Sequence, residues 1–237
     1  MFKDTDSLYD PRNMFIWFLL AFQGGTINTG GFLTVHRFVS HVTGFATLAG
    51  AAGAKANWVE MLGMLLVPVS YITGAMFSAW CVERRRIHNQ TPLYSLVFSF
   101  MLISLSFIAI GGSMGIFGGF GEPLNLTRDY LLLFVLSFTC GLQNAVISSA
   151  SGAVIRTTHL TGLVTDLGIG IVRILSIDKG HKHEVFANWT RLGIFISFFF
   201  GSFVSALIYS KVQFFGFYLP VCICLFVALR LRAIKKM

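Results

Sequence analysis

The decapeptide HVTGFATLAG at residues 41–50 returns as HLTGLVTDLG at residues 159–168. Both copies fit the pattern H-x-T-G-x-x-T-x-x-G, so five identical residues stand at one offset of 118 positions, from 41 to 159. Lys55 and Arg173 also match in charge at that offset. An internal repeat of this kind bears on the whole architecture, because each copy of a repeat folds as one structural unit.

The composition of the 237 residues excludes a water-soluble globule. Hydrophobic residues make up 55% of the chain and charged residues only 12%, whereas a soluble domain carries roughly 25% charged residues. The apolar residues also occur in long runs, which is the pattern that a lipid bilayer requires. The sequence therefore predicts an all-α, polytopic membrane protein whose main partner is the lipid bilayer.

The net charge of +8 does not indicate a nucleic-acid-binding protein. The basic residues flank the apolar runs, where Lys and Arg orient membrane proteins. Arg84, Arg85 and Arg86 are interpreted as such a topology anchor. The four cysteines lie inside apolar runs without metal-ligand spacing, so no metal site is predicted.

Six apolar runs are long enough to cross the roughly 30 Å hydrocarbon core of a bilayer, which takes about 20 residues of helix. They cover residues 14–35, 58–82, 92–117, 130–152, 189–210 and 212–229. Two further segments, at residues 39–54 and 159–176, contain the repeated decapeptides and are short and rich in Gly and Thr. The sequence leaves open whether these two segments cross the membrane or form half-helices or interfacial helices.

The distribution of Lys and Arg favours six crossings with both termini in the cytoplasm. If the two short segments do not cross, these residues divide 14 to 4 between the two sides of the membrane. If both segments cross, the division is 12 to 6 and residues 84–86 fall outside. The first arrangement agrees better with the known excess of positive charge in cytoplasmic loops.

The repeat predicts two membrane repeats, residues 1–120 and residues 121–237, within one membrane domain. Each would contain three spans, with a short or re-entrant helical segment after the first. Because three is odd, the second repeat must cross the bilayer in the opposite sense. The sequence thus predicts a 3+3 inverted repeat, which is common among transporters, whose binding sites lie near the midplane where the repeats meet.

The segments GGTINTGGF at residues 24–32, FVSHVTGFATLAG at 38–50 and GLQNAVISSASGAVIRTTHLTGLVTDLG at 141–168 resemble the YoaK family of bacterial inner-membrane proteins. The resemblance extends over nearly the whole chain and implies a multi-pass bacterial inner-membrane protein whose function is unsettled. It also implies that an acidic residue is common where this chain has Asn28, and an Asn where it has Phe45. Without that carboxylate, the resemblance gives no support to proton or cation coupling at Asn28.

Polar residues within the apolar runs are the candidate solute ligands, because polar groups inside a membrane commonly mark functional sites. His41 and His159 are interpreted either as ligands, since His titrates near neutral pH, or as caps of the helices that follow. The Thr-Gly pairs after them would offer backbone N–H groups to an anion at a helix N-terminus, or would allow close helix packing. The predicted binding residues are Asn28, His41, Thr43, Gly44, Gln143, Asn144, His159, Thr161, Gly162 and Asp166.

A charged stripe distinguishes the second repeat from the first. His159, Asp166 and Arg173 recur every seven residues, and a helix would place them on one side. The first repeat has Leu48 where the second has Asp166. The spacing predicts either a structural ion pair between Asp166 and Arg173 or a polar path.

The sequence lacks the catalytic motifs G-x-S-x-G and H-E-x-x-H, the P-loop and the Rossmann glycine pattern. No catalytic residue and no cofactor are therefore predicted. The leading hypothesis is a transporter or channel for a small polar or anionic solute, bound between the two inverted repeats. A membrane-embedded enzyme or redox-linked protein and a non-transporting assembly module are the alternatives, and the sequence leaves homodimerisation open.

Overall fold

A computed structural model of the chain describes residues 10–122, 127–152, 155, 157, 159–176 and 182–236. These residues form α-helices and one 3₁₀-helix, and none of them lies in a strand, so the prediction of an all-α fold is confirmed. The helices are α1 (Pro11–Val35), α2 (Val42–Ala54), α3 (Trp58–Ile87), α4 (Tyr94–Ser113), α5 (Thr127–Ala150), α6 (Leu160–Ser176), α7 (Lys182–Val212), the 3₁₀-helix (Gln213–Phe217) and α8 (Tyr218–Lys236).

Several of the described helices have the length and apolarity that a membrane crossing requires. Four stretches meet both requirements: Trp58–Ile87, Tyr94–Ser113, Arg128–Ala150 and His183–Leu231. The last stretch covers most of α7 and α8, on either side of the 3₁₀-helix. α1 has 25 residues and extends about 37 Å, but amides and glycines make its second half more polar. Such helices are compatible with a multi-pass membrane protein.

The two segments that carry the repeated decapeptides form the short helices α2 and α6. α2 has 13 residues and α6 has 17, so they extend about 20 Å and 25 Å. Both lengths are below the roughly 30 Å of the hydrocarbon core. α2 packs on α3 and α6 packs on α7, so each short helix accompanies the long helix that follows it.

A local cap separates α2 from α3. Ala56 has a φ of 56°, in the left-handed region that helices do not continue through. Asn57 Oδ1 accepts a hydrogen bond from the Glu60 backbone N–H at 3.3 Å, and Asn57 Nδ2 donates to the Glu60 carboxylate at 2.9 Å. The cap satisfies a backbone donor that would otherwise be free at the start of a helix, which explains why α3 begins at Trp58.

Exposed tryptophans lie near both ends of α3. Trp58 is 60% exposed and Trp80 is 64% exposed. Their 22 positions of separation correspond to about 33 Å of helix, close to the thickness of the hydrocarbon core. Because Trp concentrates at the two membrane–water interfaces, α3 has the aromatic ends of a spanning helix.

α1 and α7 cross at glycines that face each other's backbone. A methyl group on Gly25 would overlap the Phe198 carbonyl oxygen, and a methyl group on Gly201 would overlap the Phe22 carbonyl oxygen. The Ser202 hydroxyl donates to the Gly25 carbonyl oxygen at 3.4 Å. Only residues without a bulky side chain allow two helix backbones to approach this closely.

α3 and α5 cross in the same manner. A methyl group on Gly74 would overlap the Phe138 carbonyl oxygen, and a methyl group on Gly141 would overlap the Tyr71 carbonyl oxygen. The Ser70 hydroxyl of α3 also donates to a backbone carbonyl oxygen of α5 at 2.8 Å. The bundle therefore contains two glycine-closed crossings.

The two crossings correspond by constant shifts in residue number. A shift of 116 relates the α1 residues to the α5 residues, and a shift of 127 relates the α3 residues to the α7 residues. The corresponding pairs are Phe22 with Phe138, Gly25 with Gly141, Tyr71 with Phe198, and Gly74 with Gly201. The chain thus builds one kind of crossing twice from related sequence positions.

Both crossing pairs run parallel, because their contacts advance together along the two helices. The contact pairs, in chain order, are Phe18 with Gly193 and Gly30 with Tyr209 for α1 and α7, and Gly63 with Tyr130 and Gly74 with Phe138 for α3 and α5.

α1 and α5, in contrast, run antiparallel. Gln143, late in α5, donates to the Leu20 carbonyl oxygen early in α1. A methyl group on Gly31, late in α1, would contact Leu136, early in α5. The contacts therefore move in opposite directions along these two helices.

The two glycine crossings divide the helices into two units. Unit A contains α1 and α7 with α6 and α8, and unit B contains α3 and α5 with α2 and α4. The units meet where α1 contacts α5 and, more extensively, where α4 packs on α8 and the 3₁₀-helix. α5 is the most buried of the four candidate spans, so the α1–α5 contact lies deep in the protein.

We predict that Gly141→Ala destabilises the protein by about 1–3 kcal/mol, because the added methyl group forces α3 and α5 apart at an overpacked contact. Thermal unfolding in detergent, followed by circular dichroism, measures the effect. Gly168→Ala in α6 is the matched control, since nothing lies within 4 Å of the position of its added methyl group. Equal melting temperatures for the two variants would contradict the assignment of the crossing.

Candidate functional site

Tyr71 of α3 joins two residues that the sequence predicts as ligands. Its hydroxyl oxygen accepts a hydrogen bond from Asn144 Nδ2 of α5. The same hydroxyl lies 2.9 Å from Nε2 of His159, directly before α6. We call Tyr71, Asn144 and His159 the Tyr71 cluster, which brings α3, α5 and the start of α6 together.

The Tyr71 cluster connects the protein interior to its surface. Tyr71 and Asn144 are 9% and 7% exposed, whereas His159 is exposed. When the tyrosine oxygen accepts from the amide, its own proton is free to be donated to an unprotonated His159 Nε2. One hydroxyl group thus links the buried Asn144 amide to an imidazole at the surface.

Gln143, the residue before Asn144, faces the other unit. Its Nε2 donates to the Leu20 carbonyl oxygen of α1 at 2.8 Å and lies 3.5 Å from the Thr157 hydroxyl. Gln143 is fully buried, and its Oε1 has no hydrogen-bond partner among the described residues. Two adjacent amides of α5 thus bond in different directions. Asn144 bonds to Tyr71 within unit B, and Gln143 bonds to Leu20 of unit A.

Gln23 of α1 is a buried amide that sequence reasoning missed. It is fully buried, and within the described part of the chain neither Nε2 nor Oε1 has a hydrogen-bond partner. It follows Leu20 by three residues, so it lies on the same side of α1. The signal in the sequence was a glutamine inside an apolar run, the same signal that indicated Gln143.

Asn28 lies one and a half turns beyond Gln23, where α1 approaches the start of α2. It is half-buried, and its Oδ1 accepts from the Ser40 hydroxyl at 3.2 Å and from the Ser40 backbone N–H at 3.4 Å. Asn28 therefore attaches the segment before α2 to α1. A shift of 116 relates Asn28 to Asn144, but the partners of the two amides differ.

The first decapeptide starts α2 with its polar groups near the surface. His41 and Thr43 are exposed, and Gly44 is half-buried. His41 stands before the first turn without a side-chain cap hydrogen bond, and a methyl group on Gly44 would press against its ring. Among the described residues, no hydrogen bond joins these three to the Tyr71 cluster.

The second decapeptide starts α6 in a similar way, except at its histidine. Thr161 and Asp166 are exposed and Gly162 is half-buried. The Thr165 hydroxyl donates to the Thr161 carbonyl oxygen at 2.9 Å, so its hydrogen bond lies within the helix. Of this decapeptide, His159 is the residue that reaches the Tyr71 cluster.

Arg173 pairs with a residue other than Asp166. Its NH1 lies 3.8 Å from the Glu184 carboxylate of α7, which also pairs with Arg191 at 3.0 Å. A separation of seven residues corresponds to about 10 Å along a helix, which is too far for a direct ion pair. The hypothesis of an Asp166–Arg173 ion pair is therefore wrong, and Arg173 instead ties α6 to α7.

The predicted residues thus fall into separate places. Asn144 and His159 meet through Tyr71, Gln143 lies at the boundary between the units, and Asn28 lies near the start of α2. Tyr71 was missed because a tyrosine in an apolar helix usually packs as an aromatic side chain. Tyr71 lies three residues before Gly74, where α3 crosses α5. That position indicates a role for Tyr71 only once the crossing is known.

The fold and these sites define a multi-helix protein of the membrane type with uncharged amides buried between its two units. A family model described as a protein of unknown function, DUF1275, matches residues 16–230. The chain therefore belongs to the DUF1275 family. YoaK is a known member of this family, and the closer assignment to YoaK stays a prediction. Searches of curated proteins and of solved structures gave no match.

We predict that Tyr71→Phe lowers the stability by about 1–3 kcal/mol, because the loss of the hydroxyl leaves the buried Asn144 amide without a partner. Tyr209→Phe is the matched control. Tyr209 is also buried, but its hydroxyl has no partner among the described residues, so its removal should be neutral or stabilising. Thermal unfolding in detergent measures both, and an equal loss in the two variants would contradict the role of the Tyr71 hydroxyl.

Proposed function

We propose that this protein is a transporter or channel for a small, uncharged polar solute in a bacterial inner membrane. The solute would bind between unit A and unit B, at the amides of Gln23, Gln143 and Asn144. The observation that carries the proposal is that polar atoms on these three buried side chains have no hydrogen-bond partner among the described residues.

Buried amides without partners are costly in a membrane protein. An unpaired polar group in an apolar environment costs several kcal/mol, roughly 2–7 by different reference scales, and native structures rarely leave such groups unpaired. Within the described ranges, the donor Gln23 Nε2 has no acceptor, and the acceptors Gln23 Oε1, Gln143 Oε1 and Asn144 Oδ1 have no donor. A solute with hydrogen-bond donors and an acceptor would satisfy all of them.

The chemistry of the amides favours an uncharged solute over an anion. Amide groups both donate and accept hydrogen bonds but carry no charge. His159 is exposed, and of the three amides it is linked through the Tyr71 hydroxyl to Asn144. An anion would lose its hydration without gaining a buried positive charge.

The helix directions support the inverted repeat. α1 and α5 hold related positions in the two halves, as the shift of 116 residues indicates, and they run antiparallel. Each glycine crossing joins a helix of the first half to a helix of the second half. α1 of the first half packs on α7 of the second, and α3 of the first packs on α5 of the second. A two-fold axis in the membrane plane, between α1 and α5, would relate the halves in this way.

The same directions support six crossings, with α2 and α6 as non-crossing segments. α1 is parallel to α7 and antiparallel to α5, and α5 is parallel to α3, so α1 and α3 run in opposite directions. α3 would then begin on the side of the membrane where α1 ends. Because α2 connects these two helix ends, it would not cross the membrane. With this topology Arg84, Arg85 and Arg86 would lie on the cytoplasmic side together with both termini. Lys3, Arg156 and Lys179 were also assigned to that side in the count of basic residues, but they lie outside the described residues.

Alternating access would move unit A against unit B. The tight glycine crossings lie inside the units, α1 with α7 in A and α3 with α5 in B, whereas the boundary between the units contains the Gln143–Leu20 hydrogen bond and the packing of α4 on α8 and the 3₁₀-helix. The hydrogen bond between α1 and α5 can break and re-form more easily than a packed crossing. The moving bodies would therefore each combine helices from both repeats.

We predict that Gln143→Leu slows solute entry into proteoliposomes about tenfold, which corresponds to the loss of one hydrogen bond of ~1.4 kcal/mol. Stopped-flow light scattering with urea, acetamide and glycerol measures entry, and acetate serves as an anionic probe. Wild-type protein should accelerate at least one uncharged probe over protein-free liposomes.

Gln90→Leu is the matched control, because it removes the same amide from an exposed position outside the boundary. Its rate should equal the wild-type rate. Equal slowing in both variants, or a wild-type rate equal to that of protein-free liposomes for every probe, would reject transport at this site.

A second prediction needs no knowledge of the solute. Gln23→Cys, in a Cys222→Ser background, should react with a membrane-impermeant methanethiosulfonate reagent, because alternating access exposes the boundary to water. The other three cysteines are buried. Leu142→Cys is the control, since it is also fully buried in the core but on an apolar position of α5.

Reaction at Gln23→Cys that exceeds reaction at Leu142→Cys by tenfold or more would support an opening between the units. Equal, background-level reaction at both positions would show a closed interface and favour the non-transporting assembly module.

A further inference from the structure

A cleft of about 650 Å³ opens at the C-terminal end of α3, beside the start of α4. One part of its wall is apolar and includes Phe77, Trp80 and Leu96. The other part is basic and includes Arg84, Arg85 and His88. Since Phe77 and Trp80 precede the arginines in α3, the apolar wall lies towards the middle of the helix and the basic wall at its end.

The aromatic and basic walls meet at a cation–π contact. The Arg84 guanidinium lies 4.3 Å from the centre of the Trp80 ring, a distance at which the ring attracts the cation. Trp80 is exposed, and exposed tryptophans of spanning helices concentrate at the level of the lipid headgroups. In a bilayer this contact would hold a positive charge at the membrane–water boundary.

Arg85 is fixed at the other side of the cleft. Its Nε donates to the Thr91 carbonyl oxygen at 2.7 Å, and a guanidinium group has five N–H donors, so this bond uses only one. Among the described residues that line the cleft, none carries a carboxylate. This part of the wall presents two guanidinium groups and one imidazole.

Arg86, the third residue of the basic triplet, has a different role. Its NH1 donates to the Ser149 carbonyl oxygen of α5 at 2.5 Å and lies 3.8 Å from Glu83. It does not line the cleft. Arg86 is therefore held against α5, whereas Arg84 and Arg85 line the cleft.

We propose that this cleft binds the headgroup of an anionic phospholipid. The phosphate would pair with Arg84 and Arg85, and the first part of an acyl chain would lie along Phe77 and Leu96. Basic pockets between helices at the membrane surface bind such headgroups. The apolar wall distinguishes a lipid from free phosphate, because a hydrated inorganic ion gains nothing from contact with Phe77 and Leu96. This site is separate from the amides of the proposed solute site.

The test uses the purified full-length protein in detergent, with bound lipid counted by native mass spectrometry. The probes are phosphatidylglycerol and phosphatidylcholine with identical acyl chains, and inorganic phosphate as competitor. Wild-type protein should prefer phosphatidylglycerol at least tenfold. Arg84→Gln should weaken phosphatidylglycerol binding about fivefold, since one basic residue at a membrane surface contributes ~1 kcal/mol, and Arg86→Gln should leave it within twofold of wild type.

Each other outcome would overturn the proposal. Equal retention of the two lipids by wild-type protein would show the absence of charge recognition. Equal losses in Arg84→Gln and Arg86→Gln would show that the cleft is not the site. Displacement by inorganic phosphate at the concentration of the lipid would indicate a free-anion site. If a variant does not fold, as thermal unfolding would reveal, the lipid preference of the wild-type protein still decides.

Discussion

Close backbone contact at four glycines holds the helices of this protein together. In a bilayer the lipid tails are as apolar as leucine side chains, so burial of apolar surface does not drive helices together. Van der Waals contact has to supply the attraction, and it is strongest where backbones touch. Gly25 and Gly201 provide that contact between α1 and α7, and Gly74 and Gly141 provide it between α3 and α5. A side chain at any of the four would separate its pair.

The crossings also determine where polar groups meet. Each joins one helix from either half of the chain, so unit A and unit B both contain parts of each half. α1 and α5 are left facing each other across the boundary between the units. Gln143 bonds to Leu20 there, while Gln23 and the remaining amide oxygens stay unpaired among the described residues. The boundary between α1 and α5 therefore contains unused hydrogen-bonding capacity within the described part of the chain.

One hydroxyl group makes the two halves chemically unequal. Tyr71 and Phe198 occupy corresponding positions in the two crossings. In α3 the tyrosine links Asn144 to His159, whereas phenylalanine offers no such link, and Asn28 pairs with Ser40 instead. The two crossings therefore share their backbone contacts but differ in the hydrogen bonds beside them. A larger side chain at one of the crossing glycines would overlap the facing backbone. The exchange of Phe for Tyr, in contrast, adds one oxygen atom and with it a new hydrogen-bond partner.

The sequence alone determined the helical class, the positions of the long apolar segments and the recurrence of the decapeptide, because these follow from local composition and periodicity. Predicted and observed starts agree at Trp58, where Asn57 caps the helix. Only the tertiary structure decided that α1 pairs with α7, that Tyr71 lies between Asn144 and His159, and that Arg173 turns to Glu184. The sequence shows that a residue in an apolar run is polar, but it does not show which residue will be its partner. Residues far apart in the chain become neighbours only when the helices pack against each other.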